Sequence, residues 1–321
     1  MASEPAAGGG RPVPVLLISG IGRSGSTLID RALGAADGCA SLGEVVRIWQ
    51  RGLLEDATCG CGRSFRLCEL WGAVGERAFG GWDSLDAAAV LDLQARVDRT
   101  RFIPLMVTGW GRRYRRDLAE YGGLLTRLYA AVAEVTGARL VVDSSKDLST
   151  TFLLRTVPGV DVRVVHLVRD SRAVAYSWTK EVSKGGSGGQ MDRYAPAIVG
   201  MRYLFVNLVL HAARLVGMRC RFVRYEDFVA DPATTTSSLL SFGGLADASV
   251  GFVTGNSLDL GPHHSLGGNP MRFTHGAVEV RLDDTWRGAL PSRDRRIVTT
   301  LTWPLLASYR YLPVRRPRGT P

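Results

Sequence analysis

Between Val15 and Leu28 an apolar run breaks into the loop Gly20-Ile21-Gly22-Arg23-Ser24-Gly25-Ser26-Thr27 and then into a helical pattern. Strand, glycine loop and helix in that order make an anion cradle, because the loop's backbone N–H groups and the positive end of the helix both point at phosphate or sulfate oxygens. The spacing from Gly20 to Gly25, followed by Ser26-Thr27, nearly completes the phosphate loop of nucleoside triphosphatases, Gly-x-x-x-x-Gly-Lys-Ser/Thr. Ser26 stands where that loop needs a lysine to reach the outer phosphates. The cation sits upstream instead, as Arg23 at the crest. Arg23, Ser24, Gly25, Ser26 and Thr27 are therefore expected to hold an anion other than ATP with magnesium.

Two more polar clusters follow short apolar strands. Arg139 to Asp143 runs into Asp143-Ser144-Ser145-Lys146-Asp147, and Val162 to Val168 runs into Arg169-Asp170-Ser171, which opens a helix. A further strand, Cys220 to Arg224, ends in Tyr225-Glu226-Asp227, with a helix from near Pro232. Helical patterns from about Asp117 to Thr136 and from about Thr150 to Thr156 alternate with these strands. Ligand groups at the C-terminal ends of strands belong to an open α/β sheet. The fold class expected is α/β, a P-loop-like three-layer fold with a central parallel sheet and helical insertions. One domain over 14–313 is expected between a disordered tail, 1–13, and a basic tail, 314–321. Gly185 to Gly189 reads as a mobile loop tip, and no Gly/Ser linker or repeat divides the chain.

Composition narrows the partners. With 321 residues and 45% hydrophobic content, the chain can bury a substantial core. The net charge is +10, and of the 40 basic residues only Lys146, Lys180 and Lys184 are lysines. Arginine forks grip phosphate and sulfate oxygens in pairs, which suits a multiply anionic small molecule. Nucleic acid is disfavoured, because the arginines are spread along the chain with no aromatic-interleaved basic module. Met1 to Arg11 lacks the charged start and apolar stretch of a signal peptide. The longest apolar window, Ala195 to Met218, is interrupted by Arg202, Asn207, His211 and Arg214, so a buried amphipathic helix is expected there and no membrane span. Five cysteines, an odd number, argue against a secreted disulfide scaffold and for a cytoplasmic location.

Arg23-Ser24-Gly25-Ser26-Thr27 after a strand, together with Val168-Arg169-Asp170-Ser171-Arg172-Ala173-Val174-Ala175-Tyr176-Ser177, resembles the two-part signature of sulfotransferases that use 3′-phosphoadenosine 5′-phosphosulfate. The likeness covers most of Val15 to Asp231 and is strongest for the Golgi and bacterial type, which includes carbohydrate and tyrosylprotein members. It implies that the first loop holds the 5′-phosphosulfate while Arg169 and Ser177 hold the 3′-phosphate. Eight residues span roughly two helical turns, so both side chains can face one pocket from the start of a single helix.

The same resemblance supplies candidates for the chemistry. Glu44, in Ser41-Leu42-Gly43-Glu44, resembles the Gly-Glu motif of tyrosylprotein sulfotransferases; it is the expected base for the acceptor hydroxyl, as a buried carboxylate with a raised pKa, unless it only caps or pairs with the next helix. Lys146 matches the lysine that steadies the transferring group in those relatives, against the reading of a surface lysine in a turn. Tyr225 lies either against the adenine or in the core. Gly267-Gly268-Asn269-Pro270-Met271-Arg272 looks like the loop by which bacterial relatives complete the 3′-phosphate site, making Asn269 and Arg272 nucleotide-binding candidates. One departure is Glu181, where tyrosylprotein relatives place an arginine.

Sulfuryl transfer requires no metal in this reading, since the group carries less charge than a phosphoryl group. Cys59-Gly60-Cys61-Gly62 and Cys68 lack a fourth zinc ligand at usual spacing, the nearest histidine being His166, so no metal site is expected. A loop near the acceptor, with a redox-sensitive cysteine pair, is the expectation instead. His166, mid-strand, reads as a core histidine; His263, His264 and His275 are either exposed loop residues or acceptor contacts. The expected function is sulfuryl transfer to a hydroxyl on a sugar, phenol, lipid, peptide tyrosine or secondary metabolite. The rival readings are a P-loop kinase or NTPase and a non-catalytic nucleotide-binding relative. The missing lysine and the lack of a Walker B aspartate disfavour the first, and the joint presence of Glu44 and Lys146 the second.

Overall fold

The computed structural model describes residues 11–181 and 192–312. The Gly185 to Gly189 loop, the 314–321 tail and residues 1–10 of the N-terminal tail therefore lie outside the described residues. Strand β1, Val13–Ser19, is buried from Val15 onward. A near-continuous apolar run of this kind suits the centre of a parallel sheet covered on both faces. The sheet contains β1, β2 (Cys39–Ser41), β3 (Leu140–Lys146), β4 (Val160–Val168) and β5 (Cys220–Arg224), all parallel, in the order β2-β3-β1-β4-β5. Strand order reverses around β1. The segments leaving β1, β3 and β4 thus end side by side at the edge where open α/β sheets bind ligands. These segments carry the glycine loop, Lys146 and Arg169.

Alternation along β1 sorts two cores. Val15 and Leu17 pack into the cluster containing Trp49, Phe65, Trp71, Trp82, Tyr121 and Tyr129, beneath the long helix Arg112–Thr136. Leu16 and Ile18 face helix α1, Ser26–Gly34, and the helix Pro232–Gly243. A small antiparallel sheet, β6 (Val253–Thr254), β7 (Ser257–Leu260) and β8 (Gly276–Glu279), joins this second side, with order β6-β7-β8. The connection from β7 to β8, residues 261–275, contains the expected closing loop.

Two elements differ from the sequence reading. Asp143 to Lys146 belongs to β3 itself, and the register against β1 slips between Leu17 and Ser19, so that Ser19 pairs with Lys146. Lys146 adopts a left-handed conformation, φ 66°. The helix Pro196–Leu215 is only partly buried: Val199, Tyr203, Asn207 and Leu210 face inward, while Met201, Phe205 and Leu208 are about half exposed. By length and composition it is the one helix among the described residues apolar enough to cross a membrane. It packs against the helices Ser171–Thr179 and Ser292–Ser308.

Beneath the loop, Asp30 of α1 is fully buried, accepts a 2.5 Å hydrogen bond from Ser41 Oγ through Oδ2, and has no partner at Oδ1. Burial pushes it up to about 7 from an ordinary 3.8. A raised acid keeps its proton in the fold after the unfolded chain has lost it. Its contribution to stability is therefore complete below about 3.8 and falls away as pH rises to about 7. Asp30→Asn removes that slope, so stability relative to the parent, measured by denaturant titration, is expected to move in the variant's favour by on the order of 2–4 kcal/mol across the window. His166 and His263, held neutral by burial, tilt both curves the other way and cancel in the difference. A flat difference would mean that Asp30 is ionised in the fold throughout.

Candidate active site

The turn from β1 into α1 is tightly enclosed. Gly25 precedes the helix at φ 89°, and a Cβ there would fall 2.2 Å from the Tyr225 ring, so both the backbone angle and the space require glycine. Tyr225 is thus the floor of the loop and part of the core, only 8% exposed, with the Arg169 guanidinium 5.2 Å from its ring centre. Arg23 holds a positive φ of 72° without being glycine, the kind of local strain that a surrounding structure must enforce.

The cations beside this loop are incompletely partnered. Arg23 Nε and Nη2, Ser24 Oγ and Arg169 Nε are all buried without a hydrogen bond. Arg169 reaches the Arg23 carbonyl at 3.4 Å and the Asp283 carbonyl at 3.3 Å, long contacts for a guanidinium. Neither arginine pairs with a carboxylate among the described residues. Burial lowers the pKa of Arg23, as expected for a charge removed from water without a counter-ion. Unmade bonds at buried donors are costly, so two such cations next to a buried hydroxyl define a place for an anion.

Ser177, partly buried, lies near the end of the helix Ser171–Thr179. Arg169 does not start that helix: it leaves the end of β4, and Asp170 is the N-cap. The two side chains therefore come from consecutive elements. Trp178, which adjoins Ser177, also touches the loop. Its Nε1 donates to the Gly22 carbonyl at 3.1 Å, and Arg23 lies 5.4 Å from its ring centre. Glu181 pairs with Arg193.

At the other end of the loop the fold joins Glu44 and Lys146, 102 residues apart, through a 2.6 Å hydrogen bond from Nζ to Oε1. Leu42 continues the pairing of β2 onto Val142, the Ser144 N–H donates to the Gly43 carbonyl, and Glu44 follows. The expected raised pKa is corrected by this contact. Burial pushes the Glu44 carboxyl up, but Lys146, with Arg47 and Arg51, outweighs it and holds the group below its ordinary 4.5. Glu44 is thereby held as an ionised carboxylate. A Cβ on Gly268 would lie 3.4 Å from Thr27 Oγ1 and 3.8 Å from Glu44 Oε1, so the hydroxyl of α1 and the carboxylate border one spot.

The segment 267–272 packs over this end. Glu44 donates its N–H to the Leu266 carbonyl, and the Asn269 N–H approaches Thr27 Oγ1 at 3.5 Å. Asn269 Oδ1 accepts from the Met271 N–H, and Arg272, 3% exposed, donates to the carbonyls of Gly267 and Thr58. Both side chains tie the loop down, and further along the C-terminal segment the Asp283 carbonyl accepts from Arg169. Arg31 of α1, also unforeseen, donates to the carbonyls of Gly261, Met271 and Thr274. A cavity of about 270 Å³ lies between Arg169, Arg224, Trp286 and Tyr311, but neither Glu44 nor Lys146 lines it.

His166 is a core residue, bonded through Nε2 to Asn207 at 2.7 Å. His275 is exposed, and His263 packs on Gly60. The expectation that Cys59, Cys61 and Cys68 lack a fourth neighbour fails: folding brings His264 among them from the β7–β8 connection.

A sequence profile of the sulfotransferase family matches residues 14–249. Among solved structures, the fold is similar to the sulfotransferase domain of the olefin synthase from Synechococcus PCC 7002, at 20% identity over 94% of this chain and 98% of that one, TM-score 0.47. It is also similar to the sulfotransferase domain of the curacin biosynthetic pathway, at 20% identity over 91% of this chain and 99% of that one, TM-score 0.45. No curated protein sequence matches the chain.

Proposed function

The chain belongs to the sulfotransferase family, and from that premise we propose that it moves the sulfuryl group of 3′-phosphoadenosine 5′-phosphosulfate to an acceptor hydroxyl. The observation that carries the donor half is the group of buried, unpartnered donors on Arg23, Ser24 and Arg169 beside a glycine loop and a helix N-terminus. Such a site fits a ligand with separate anionic groups. The loop from Gly20 to Thr27 would take the 5′-phosphosulfate, and Arg169 with Ser177 the 3′-phosphate. When bound, the nucleotide supplies a sulfuryl group already attached to a good leaving group.

The chain's own groups do the rest by position and charge. The loop N–H groups fix the anion at the end of α1, adjoining Thr27 and Glu44. Glu44, already ionised, takes the proton of the acceptor hydroxyl. Lys146 neutralises charge on the bridging oxygen, and in turning toward it withdraws the cation that holds Glu44 down. Burial then raises the carboxylate's proton affinity at the moment when the proton arrives.

Calorimetric titration tests the donor without an acceptor. Tight binding is expected for 3′-phosphoadenosine 5′-phosphate, and weak binding for 5′-AMP or ATP with magnesium, because these leave Arg169 and Ser177 without a phosphate. Arg169→Ala is expected to weaken binding of the bisphosphate by about 1.5–3 kcal/mol, roughly 10- to 150-fold. Equal affinity for 5′-AMP would remove the 3′-phosphate assignment, and preference for ATP with magnesium would favour a kinase or NTPase.

A further inference from the structure

Cys59 and Cys61 sit in a tight hairpin: the Cys59 N–H donates to the Arg63 carbonyl, the Gly62 N–H donates back to the Cys59 carbonyl, and Thr58 bridges to Ser64. Cys68 is the N-cap of helix α2, Glu69–Phe79. His264 arrives from the β7–β8 connection, 196 residues after Cys68. The Sγ atoms of Cys61 and Cys68 are 3.8 Å apart, and His264 Nδ1 is 3.1 Å from Cys68 Sγ and 4.0 Å from Cys59 Sγ. All four ligand atoms lie within 4.8 Å of one another. We propose that Cys59, Cys61, Cys68 and His264 are the four ligands of a structural zinc ion.

The spacing has the dimensions of that ion. A tetrahedron with Zn–S bonds of about 2.3 Å and a Zn–N bond of about 2.0 Å has edges of roughly 3.5–3.8 Å between ligand atoms. Three sulfurs and an imidazole are soft and borderline ligands, suited to zinc and not to magnesium or calcium. Four protein ligands close the coordination shell and leave no position for water or substrate, so the ion would hold structure and take no part in sulfuryl transfer. A redox pair would occupy Cys61 and Cys68 but would not account for Cys59 and His264 converging on the same point.

The backbone aims these ligands, and their position gives the ion its role. A Cβ on Gly60 would lie 2.2 Å from His263 Nδ1, so only glycine lets the histidine segment approach the hairpin. The Gly60 N–H donates to the Ser265 carbonyl, and Trp71 Nε1 donates to the His264 carbonyl. Two residues beyond His264, Leu266 pairs with Leu42 and Glu44; from there the segment continues to Arg272, which donates to the carbonyl of Thr58 beside Cys59. The cysteine hairpin, the 264–272 segment and the base of Glu44 form one closed circuit, which a metal ion would lock at its corner.

The test uses the full chain purified without chelators. Elemental analysis is expected to find about one zinc per chain, released by a thiol-modifying reagent. Cobalt substituted for zinc is expected to give the visible spectrum of a tetrahedral thiolate site. Cys68→Ser and His264→Ala are expected to lose the metal, His264→Cys to keep it as a four-thiolate site, and Cys220→Ser, in β5, to keep it unchanged. Removal of the metal is expected to speed proteolysis within 261–274, a readout independent of nucleotide or acceptor. Should the losing variants fail to fold, metal content and the cobalt spectrum of the parent decide alone. Parent protein that holds no zinc and takes up none after reduction would overturn the proposal, as would a disulfide between Cys61 and Cys68 recovered from native protein under non-reducing conditions.

Discussion

Glu44→Gln is expected to lower kcat by about 10²–10⁴-fold, the range for a positioned general base, while leaving the dissociation constant for 3′-phosphoadenosine 5′-phosphate nearly unchanged. The structure makes this a clean substitution. Glutamine keeps the size of the side chain and an acceptor for Lys146 Nζ, and the backbone bond from residue 44 to the Leu266 carbonyl is unaffected. What disappears is the negative charge that, in the proposed mechanism, receives the proton. Loss of turnover with retained nucleotide affinity assigns Glu44 to the transition state. Wild-type turnover in the variant would move the base elsewhere, with His263, partly buried and held neutral beside Ser265, next in line.

The sequence discloses what is written locally. The change from the apolar run at Val15 to the glycine loop marks β1 and α1, because a central parallel strand must be apolar on both faces and the turn after it needs Gly25. Arg169 and Lys146 were legible as strand-end residues for the same reason. Whatever depends on residues meeting across the fold was not. The pKa of Glu44 reads in the wrong direction from the sequence because burial is a local inference, whereas the charge that overrides it comes from Lys146 on another strand. His264 escaped the cysteine motif because nearly two hundred residues separate it from Cys68. The carbonyls that Arg31 and Arg272 reach exist as partners only once the β7–β8 connection has folded over α1. Trp178 is illegible for a different reason: an aromatic residue on a short helix reads as core until its bond to the Gly22 carbonyl is seen.

Lys146→Ala is expected to lower kcat by about a hundredfold or more, the effect of removing one preorganised donor, with little change in affinity for 3′-phosphoadenosine 5′-phosphate. Both residues bear a Cβ at the left-handed position of φ 66°, so the backbone strain is common to parent and variant and only the ammonium is lost. A second readout separates a chemical role from a structural one. Burial is the foremost influence on Glu44 and pushes its pKa up; Lys146 is the largest influence opposing it. In the free enzyme the acid limb of kcat/KM is therefore expected below the ordinary 4.5 for the parent, and to move upward in Lys146→Ala. The sign follows from ionisation: a carboxylate with a lowered pKa still accepts protons at a pH where an ordinary one is already protonated. Lys146→Arg is expected to restore the acid limb more fully than kcat, because any cation near Oε1 keeps Glu44 ionised, whereas a planar fork places its charge differently from an ammonium at the bridging oxygen. Near-normal turnover in Lys146→Ala with an unmoved acid limb would make the pair a fastening between β3 and the 266–268 segment, and would leave the leaving oxygen without the cation that this mechanism assigns to it.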